Sequence, residues 1–392
     1  MGGQIATLQF EGQNGLLDLG WGHPDPSLLP VRAWNTATTN TLTTFGWKAL
    51  AYGNAAGPGP LIEWLQTHLE AERESGADGH DFFISAGASH ALSLLTSTMT
   101  VPGDIVLVDS PTYHFALRIF ADAPVELMAA PTDSSGIHPG RTEELLLRLK
   151  RDGRRPAMLY IVPTFANPTG RSLSDERRRA LVDLSARTHL TIVEDDTYRE
   201  LAYESPAPES LWHLDRRLGC GAAVLRVGSF SKTVAPGLRL GWINAQRDVV
   251  RRLTQIGYVD SGGGVNHSTA MTMATFGRSG AYTEHLSHIR KEYRLRRDTL
   301  VAALGEVEDF VTIPKPLGGW FLWLSLPEGV TARTLEARSR RHGVAFAQGS
   351  QFFVANAGGH SQIRLSFSLF SPEQLVDAAS RLSAALVEAV AG

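Results

Sequence analysis

The sequence is poor in the features that mark secreted, membrane-bound and nucleic-acid-binding proteins. A single cysteine among 392 residues, Cys220, excludes an intramolecular disulfide framework. No apolar run is long enough to span a bilayer, and residues 1–5 do not begin a charged-then-apolar leader, so we expect a cytoplasmic protein without a membrane partner. A formal net charge of −3 gives no reason to expect nucleic-acid binding.

Lysine is also scarce, and one lysine has an unusual setting. Only five of the 37 basic residues are lysines, and Lys232 follows a β-branched, glycine-rich run that predicts a buried strand. Ser229 and Ser231 project to the same side of an extended chain, and a turn at Pro236-Gly237 can bring Arg239 back toward them. Hydroxyls and a guanidinium suit a phosphate, and a lysine suits a carbonyl, so the segment predicts a pyridoxal 5'-phosphate site. An ordinary surface lysine is the competing interpretation.

Two further segments place polar residues at the ends of predicted strands. Asn167 follows the apolar strand 158–163, at the edge of a parallel sheet where ligands collect, although a turn residue before proline is the alternative. Alternation puts Asp195 on the opposite face from Glu194 and Asp196. A carboxylate beside a pyridine nitrogen keeps that nitrogen protonated, which favours Asp195 as its partner. A metal site is the competing interpretation of the acidic run, but no histidine is adjacent.

Strands and helices alternate through most of the chain, which predicts an α/β protein. The predicted elements include a helix capped by Ser174, a loop over Asp260–Gly264, and strands at 105–108, 125–128 and 241–244.

Several motifs occur together in one order along the chain. They are Tyr52-Gly, Pro102-Gly-Asp104, Pro111-Thr-Tyr113, Asn167-Pro-Thr-Gly170, Glu194-Asp-Asp-x-Tyr198, the run from Gly228 to Trp242, Gly318-Gly-x-Phe-Leu-Trp323 and Ile363-Arg-Leu-Ser366. From about Leu19 to Phe367, the chain resembles a fold-type I PLP-dependent aminotransferase of class I/II, nearest to the 2-aminoadipate/kynurenine aminotransferase and MocR-type branch.

The resemblance implies the organisation of the whole protein. An N-terminal arm, residues 1–44, would contribute to the small domain. Residues 45–284 would form a large PLP-binding domain, with a mostly parallel seven-stranded sheet between helices, and residues 285–392 a smaller α/β domain. A tyrosine matching Tyr52 reaches the phosphate of the neighbouring subunit in this family, which implies a homodimer with shared active sites. The implied reaction moves an amino group between an α-amino acid and a 2-oxo acid.

The resemblance also implies a role for each residue of the site. Lys232 would form the imine with the cofactor and carry the proton at the substrate Cα, Asp195 would pair with the ring nitrogen, and Tyr113 would stack on the ring unless it is an ordinary core aromatic. Asn167 and Tyr198 would bind the ring oxygen. The implied phosphate ligands are the backbone amides of Gly87, Ala88 and Ser89, at a helix N-terminus that favours an anion, and the side chains of Ser229, Ser231 and Arg239.

Arg364 has apolar neighbours that predict a strand with one buried face. A guanidinium there needs an anionic partner, and its planar fork matches a carboxylate in two-point contact. The resemblance implies that Arg364, with Asn167 and Gly22, binds the amino acid substrate through its α-carboxylate. A structural salt bridge is the alternative.

Departures from the family pattern lie near the predicted pocket. Ala88 and the Ser89-His90 pair stand where relatives have a hydroxyl residue and a glutamine pair, and His23 and His267 lie in atypical stretches. These three histidines are candidates for extra acid/base work or for structural roles. We expect an aromatic or bulky substrate because the following residues could line an apolar pocket: Trp21, Trp47 and Tyr113.

Two other functions share most of these residues. A lyase that eliminates a β- or γ-substituent needs the same lysine, aspartate and arginine, so the sequence separates it poorly from an aminotransferase. The ligand-sensing domain of a MocR-type regulator would need a basic winged-helix module upstream, and we expect none before Leu19.

Overall fold

The computed structural model describes residues 7–9, 13 and 15–391. The predicted lack of a leader at residues 1–5, and part of the predicted arm, lie outside the described residues. The strands in chain order are β1 Leu17–Asp18, β2 Phe82–Ser85, β3 Ile105–Val108, β4 Glu126–Ala129, β5 Thr132–Asp133, β6 Gly136–Ile137, β7 Pro156–Ile161, β8 Thr191–Asp195, β9 Val224–Ser229, β10 Gly241–Asn244, β11 Phe321–Ser325, β12 Val344–Ala345, β13 Ala347–Gln348 and β14 Gln362–Ser366.

The helices surround these strands, and none in the described part of the chain is long and apolar enough to cross a membrane. In chain order they are α1 Val31–Phe45, α2 Gly59–Ala71, α3 Ala88–Met99, α4 His114–Ala121, α5 Pro139–Arg151, α6 Asp175–Thr188, α7 Leu211–Leu218, α8 Arg247–Thr254, α9 Gly257–Gly262, α10 His267–Arg278, α11 Ala281–Ala303, α12 Ala332–Arg341 and α13 Pro372–Ala391.

The central sheet has seven strands in the order β2-β10-β9-β8-β7-β3-β4. Strand β10 runs antiparallel to both of its neighbours, and the remaining adjacent pairs are parallel. The predicted mostly parallel seven-stranded sheet is therefore confirmed. Because β7, β8 and β9 are parallel neighbours, their carboxyl ends meet at one edge of the sheet.

Both faces of this sheet are covered, so its strands consist largely of buried apolar residues. Alternate residues of one strand enter two different cores. On β8, Val193 packs with residues of α3, α4 and α8, whereas Ile192 packs with residues of α2, α6 and α7. The alternating orientation of side chains along β8 thus determines on which face of the sheet each residue packs.

A smaller antiparallel sheet, in the order β11-β14-β13, lies in the C-terminal part of the chain. Strand β1 pairs in parallel with β12, which attaches the start of the described chain to this part. Helix α1 instead contacts α10, where the Thr41 hydroxyl donates to Thr275 over 2.8 Å. The predicted bounds of the three regions, 1–44, 45–284 and 285–392, stay predictions.

The predicted loop at Asp260–Gly264 is wrong in its first half. Helix α9 ends only at Gly262, and Gly263 follows with a φ of 62°. The helix forms in spite of its glycines because Val259 is fully buried in the core and its amide donates to the Ile256 carbonyl over 2.8 Å.

Candidate active site

Lys232 lies just after β9, at the sheet edge where β7 and β8 also end. Its amine stands over two aromatic rings, 4.8 Å from the ring centre of Trp320 and 5.7 Å from that of Tyr198. Burial lowers the pKa of Lys232 to about 8, against the opposing attraction of Asp195, and Arg364 and Arg239 lower it further. About a tenth of this amine is therefore uncharged at pH 7, and that fraction can act as a nucleophile.

Asp195 ends β8 and is only 4 % exposed. Its Oδ2 accepts a hydrogen bond from the Tyr160 hydroxyl over 2.7 Å, and its Oδ1 accepts one from the Thr197 amide over 3.3 Å. Burial raises the pKa of Asp195, and both of these hydrogen bonds oppose that shift. The carboxylate thus has neutral hydrogen-bond donors, and no ion pair among the described residues includes it.

Glu194 and Asp196 face away from Asp195, as the alternation along β8 predicts. Glu194 accepts hydrogen bonds from the Leu211 and Trp212 amides, at the first turn of α7, over 2.9 and 3.1 Å. Asp196 pairs with the buried Arg226, whose Nη2 lies 2.9 Å from Oδ2. These contacts give both carboxylates structural partners.

Arg364 lies on β14, 3 % exposed, with its guanidinium between two phenylalanine rings. Its Cζ is 4.2 Å from the ring centre of Phe321 and 4.8 Å from that of Phe352. Nη1 donates to Oδ1 of Asn167 over 2.7 Å and Nη2 donates to the Gly20 carbonyl over 2.5 Å. Burial lowers the pKa of Arg364 to about 10, so it remains a cation at neutral pH.

The same guanidinium is incompletely paired. Its buried Nε has no hydrogen-bond partner in the described part of the chain, and no carboxylate there forms an ion pair with it. The predicted substrate residue Gly22 lies close by, because a Cβ built on it would be 2.9 Å from Cζ of Phe321. A side chain at position 22 would therefore press on the ring that contacts Arg364.

The predicted phosphate ligands meet at the N-terminus of α3. Gly87 precedes this helix with a φ of 87°, and Ala88 and Ser89 form its first turn. Arg239 follows the turn after Lys232, and its side chain lies against Gly87. A Cβ added to Gly87 would be 3.1 Å from Nη2 of Arg239. A free helix N-terminus beside an arginine favours an anion. Ser229 and Ser231 are buried just before Lys232 in the chain, with the Ser229 hydroxyl accepting from the Ser231 amide over 3.1 Å.

The two predicted ring-binding tyrosines lie in the same region. Tyr198 is 5 % exposed and its ring contacts Phe321 edge-on, with 5.6 Å between ring centres. Tyr113 directly precedes α4, and burial raises its pKa to about 12, with a smaller contribution from Asp195. Both phenols therefore stay protonated at neutral pH.

The three candidate histidines differ in their surroundings. The Nδ1 of His90 accepts from the Ala86 amide over 3.1 Å, and the Nε2 of His267 donates to the Lys48 carbonyl over 2.9 Å, so both have backbone partners. The His23 ring packs edge-on against Trp21, with 5.4 Å between centres. Burial and the charge of Lys232 both lower the pKa of His23.

Tyr52 does not reach the site of its own chain. It is 87 % exposed and shares the surface with Trp47, which is 74 % exposed, and Leu50. Trp47 therefore does not line a pocket within a single chain, in contrast to the expectation for it.

Sequence reasoning missed several residues that shape the site. They are the hydrogen-bond donor to Asp195, Tyr160; the ring under the lysine, Trp320; and the group around Arg364, Phe321, Phe352 and His114. Tyr160 is a polar residue in an apolar strand, a signal that could have found it. Phe352 lies between strands, and its contact with Arg364 depends on tertiary structure.

Comparisons with known proteins agree with this geometry. The chain is 31% identical over 376 residues to aromatic-amino-acid aminotransferase 1 of Thermococcus litoralis, covering 95% of this chain and 88% of the relative. The crystal structure of LysN, the α-aminoadipate aminotransferase of Thermus thermophilus, superposes with a TM-score of 0.86 at 31% identity, covering 96% of this chain and 94% of that chain. An uncharacterised regulator of the HTH type, YdfD of Bacillus subtilis, is 31% identical over 329 residues, 84% of this chain and 65% of the relative.

The family match identifies the chain. Residues 52–382 match the family Aminotransferase class I and II, and the solved structures with the same fold include fold-type I aminotransferases. The prediction of an aminotransferase is thereby confirmed. The chain belongs to the class I and II aminotransferases, fold-type I enzymes that use pyridoxal phosphate to exchange amino groups between amino acids and 2-oxo acids.

Proposed function

We propose that Lys232, Asp195 and Arg364 carry the aminotransferase reaction of this chain. The observation that supports it most is the environment of Arg364: a buried cation with a free Nε and no carboxylate partner among residues 7–9, 13 and 15–391. An unpaired buried charge is costly, and the α-carboxylate of an amino acid would remove that cost by two-point contact.

The residues present fit pyridoxal phosphate. Gly87, Ser229, Ser231 and Arg239 offer an amide, two hydroxyls and a cation for the phosphate, while Asp195 offers a buried carboxylate to the ring nitrogen. When bound, the cofactor supplies an electron sink for the electrons of the substrate Cα–H bond. Asn167 and Tyr198 supply polar groups for the ring oxygen.

Lys232 would act first as a nucleophile and then as the base at the substrate Cα. Its lowered pKa of about 8 suits both tasks, since proton transfer is most efficient when the pKa of the base lies near the working pH. The rings of Trp320 and Tyr198 lie against the amine of Lys232, which is only partly exposed. Arg364, fixed by Asn167 and Gly20, would set the orientation of the Cα–H bond.

We propose an aromatic or bulky apolar amino acid as the donor. Beyond Arg364 the wall is aromatic: the Phe352 ring contacts Trp323 and His114, with 5.7 and 5.1 Å between ring centres. Burial, followed by the charge of Arg364, lowers the pKa of His114 to about 3. The imidazole is therefore neutral and offers no positive charge to an acidic side chain.

A panel of amino acids tests both the reaction and the substrate. The holoenzyme is given phenylalanine, leucine, aspartate or 2-aminoadipate, with and without a 2-oxo acid acceptor, and oxo acids and ammonia are quantified. We expect turnover only with the acceptor, no ammonia, and kcat/KM at least about tenfold higher for phenylalanine than for aspartate. Ammonia released without an acceptor would contradict transamination here; a preference for acidic donors would contradict only the substrate class.

We propose a cytoplasmic homodimer in which Tyr52 completes the site of the partner. Trp47, Leu50, Tyr52 and Tyr258 are each at least 70 % exposed, which is unusual for large apolar side chains. Trp47, Leu50 and Tyr52 lie in a segment that is adjacent to α9, the helix that carries Tyr258. The close approach is visible at Gly53, where an added Cβ would lie 3.0 Å from the Gly263 carbonyl oxygen. The lone thiol of Cys220 suits a reducing compartment.

Mixing two inactive variants tests the shared site. In a heterodimer of Lys232→Ala and Tyr52→Ala chains, one site would have both an intact Lys232 and an intact Tyr52. We expect co-refolded variants to regain up to about a quarter of wild-type activity by random pairing. Light scattering should give twice the chain mass of 42.5 kDa. A monomer, or a dimer without complementation, would contradict the proposal.

A further inference from the structure

Tyr160 lies on β7, a central strand flanked by β3 and β8. The register places it beside Val193 of β8, and Asp195 lies two residues farther along the same face of that strand. Its hydroxyl donates to Oδ2 of Asp195 over 2.7 Å, and both side chains are buried. The contact therefore joins two adjacent strands of the sheet at buried positions.

Core packing explains the ring of Tyr160 but not its hydroxyl. The ring meets Phe120 edge-on, with 5.1 Å between centres, and belongs to the apolar cluster below α3 and α4. A phenylalanine would make the same ring contacts without burying a polar atom. Because a buried hydroxyl is costly without a partner, its bond to Asp195 is the interaction that accounts for it.

The carboxylate of Asp195 depends on few contacts for its orientation. Besides Tyr160, the donors come from Thr197, whose amide reaches Oδ1 over 3.3 Å and whose hydroxyl also hydrogen-bonds to the carboxylate, and all of these donors are neutral. The next residue, Asp196, is held on the other side of the sheet by Arg226. Among these donors to Asp195, the Tyr160 hydroxyl is the one that originates from a different strand, and its 2.7 Å bond is shorter than that of the Thr197 amide.

We propose that Tyr160 is a positioning residue, whose hydroxyl fixes the rotation of the Asp195 carboxylate and leaves its other lone pairs to the cofactor nitrogen. The inference rests on the proposed role of Asp195. Burial raises the pKa of Tyr160 well above its ordinary value, so the hydroxyl is a donor throughout the working range of pH. A donor to the charged form of Asp195 also favours that form.

Tyr160→Phe removes the hydroxyl and keeps the ring. The matched control is Tyr282→Phe, which removes the hydroxyl of another fully buried tyrosine; that hydroxyl donates to the half-buried carboxylate of Glu200, outside the site. The dissociation constant for pyridoxal phosphate is measured by quenching of tryptophan fluorescence, and kcat and KM by steady-state kinetics. The dissociation constant, kcat and KM are also measured for Asp195→Asn and for the Tyr160→Phe/Asp195→Asn double variant.

We expect Tyr160→Phe to lower kcat by up to about 10²-fold, with KM for the amino acid changed less than about threefold, and Tyr282→Phe to change neither. Cofactor affinity should fall about three- to tenfold in Tyr160→Phe, with no further fall when Tyr160→Phe is added to Asp195→Asn, because the two residues act as a unit. Additive losses of affinity would overturn the inference by making Tyr160 an independent contributor.

The remaining outcomes separate the inference from the proposed function. If Asp195→Asn is inactive and binds the cofactor weakly while Tyr160→Phe matches the wild type, the inference alone is wrong. If Asp195→Asn retains full activity, the proposed role of Asp195 is wrong as well. A Tyr160→Phe chain that does not fold, where Tyr282→Phe does, would assign the hydroxyl to the fold and overturn the positioning role.

Discussion

The two faces of β8 differ in whether their buried charges are paired. On one face, three carboxylates and three guanidiniums form a buried network that balances its own charge: Glu74, Glu194, Asp196, Arg178, Arg199 and Arg226. On the other face, Asp195 and Arg364 both influence the charge of Lys232, yet none of these three residues forms an ion pair with any described residue.

Whether a buried charge has an ion-pair partner distinguishes structural from functional residues more clearly than residue type does. Asp195 and Asp196 are neighbours in sequence and equally buried, but only Asp196 has an arginine against it. A buried charge without a partner destabilises a fold, so its persistence indicates a ligand that completes it. We therefore expect substitutions in the paired network to change stability, and substitutions on the site face to change activity.

The largest effect should follow from Lys232→Ala. Losing the proposed nucleophile and base should lower kcat/KM by about 10⁴-fold or more, with the melting temperature unchanged or raised because the lysine is desolvated without an ion pair. Lys315→Ala, at an exposed lysine that pairs with Asp298, is the matched control and should retain activity. Coupled enzyme assays and thermal melts measure both variants, and substantial turnover by Lys232→Ala would refute its role.

Arg226→Met should break the paired network. Removing one member leaves Asp196 and Glu74 less compensated in the core, so the free energy of unfolding should fall by about 3–5 kcal/mol in urea titrations. The folded fraction should still turn over substrate with kcat within about fivefold of the wild type, since Arg226 does not face the site. A stable but inactive Arg226→Met enzyme would reverse the assignment of the two faces.

Arg364→Met should show the opposite pattern. Loss of the buried contact with the substrate carboxylate should cost about 2–5 kcal/mol in kcat/KM, mainly through KM. Stability of the chain without cofactor should change by less than about 1.5 kcal/mol, because an unpaired cation is lost along with two hydrogen bonds. Destabilisation as large as that of Arg226→Met would indicate a structural salt bridge instead.

The smallest effect concerns pH. Burial lowers the pKa of Lys232 from 10.5 to about 8 in the folded chain, so its neutral amine increases as pH rises through 8. The rate of cofactor uptake by the apoprotein should therefore rise about tenfold between pH 7 and 9 and then level off. Stopped-flow absorbance follows this uptake. A rate that keeps rising to pH 10.5 would show an amine with an ordinary pKa.

The sequence was sufficient where a residue's role depends on local pattern. Strands β3 and β10 coincide with their predicted bounds, and the helix after Ser174 begins where its hydroxyl accepts from the Arg177 amide. The alternation of side chains along a strand was enough to predict that Asp195 faces away from Glu194 and Asp196. Strand β4 starts one residue later than predicted because it is an edge strand with partly exposed side chains, where the apolar pattern is weak.

Contacts between distant segments could not be predicted in this way. Trp320 lies under Lys232, and Phe352 packs on Arg364, only because residues of the C-terminal part of the chain meet the segments that follow β7 and β9. The hydroxyl of Tyr160 reaches Asp195 because of the register between β7 and β8, two strands whose paired residues are 30 or more positions apart in the chain. The exposure of Trp47 likewise depends on the packing of its segment on α10 and was not visible in composition.

The most direct test of the two-face account is a side-by-side comparison of Asp195→Asn and Asp196→Asn. These variants remove the same charge, one residue apart, at equally buried positions. We predict that Asp195→Asn folds with wild-type stability and loses about 10²- to 10³-fold in kcat. We predict that Asp196→Asn loses stability through Arg226 and keeps kcat within about fivefold of the wild type. An active Asp195→Asn enzyme beside an inactive, stable Asp196→Asn enzyme would contradict the account.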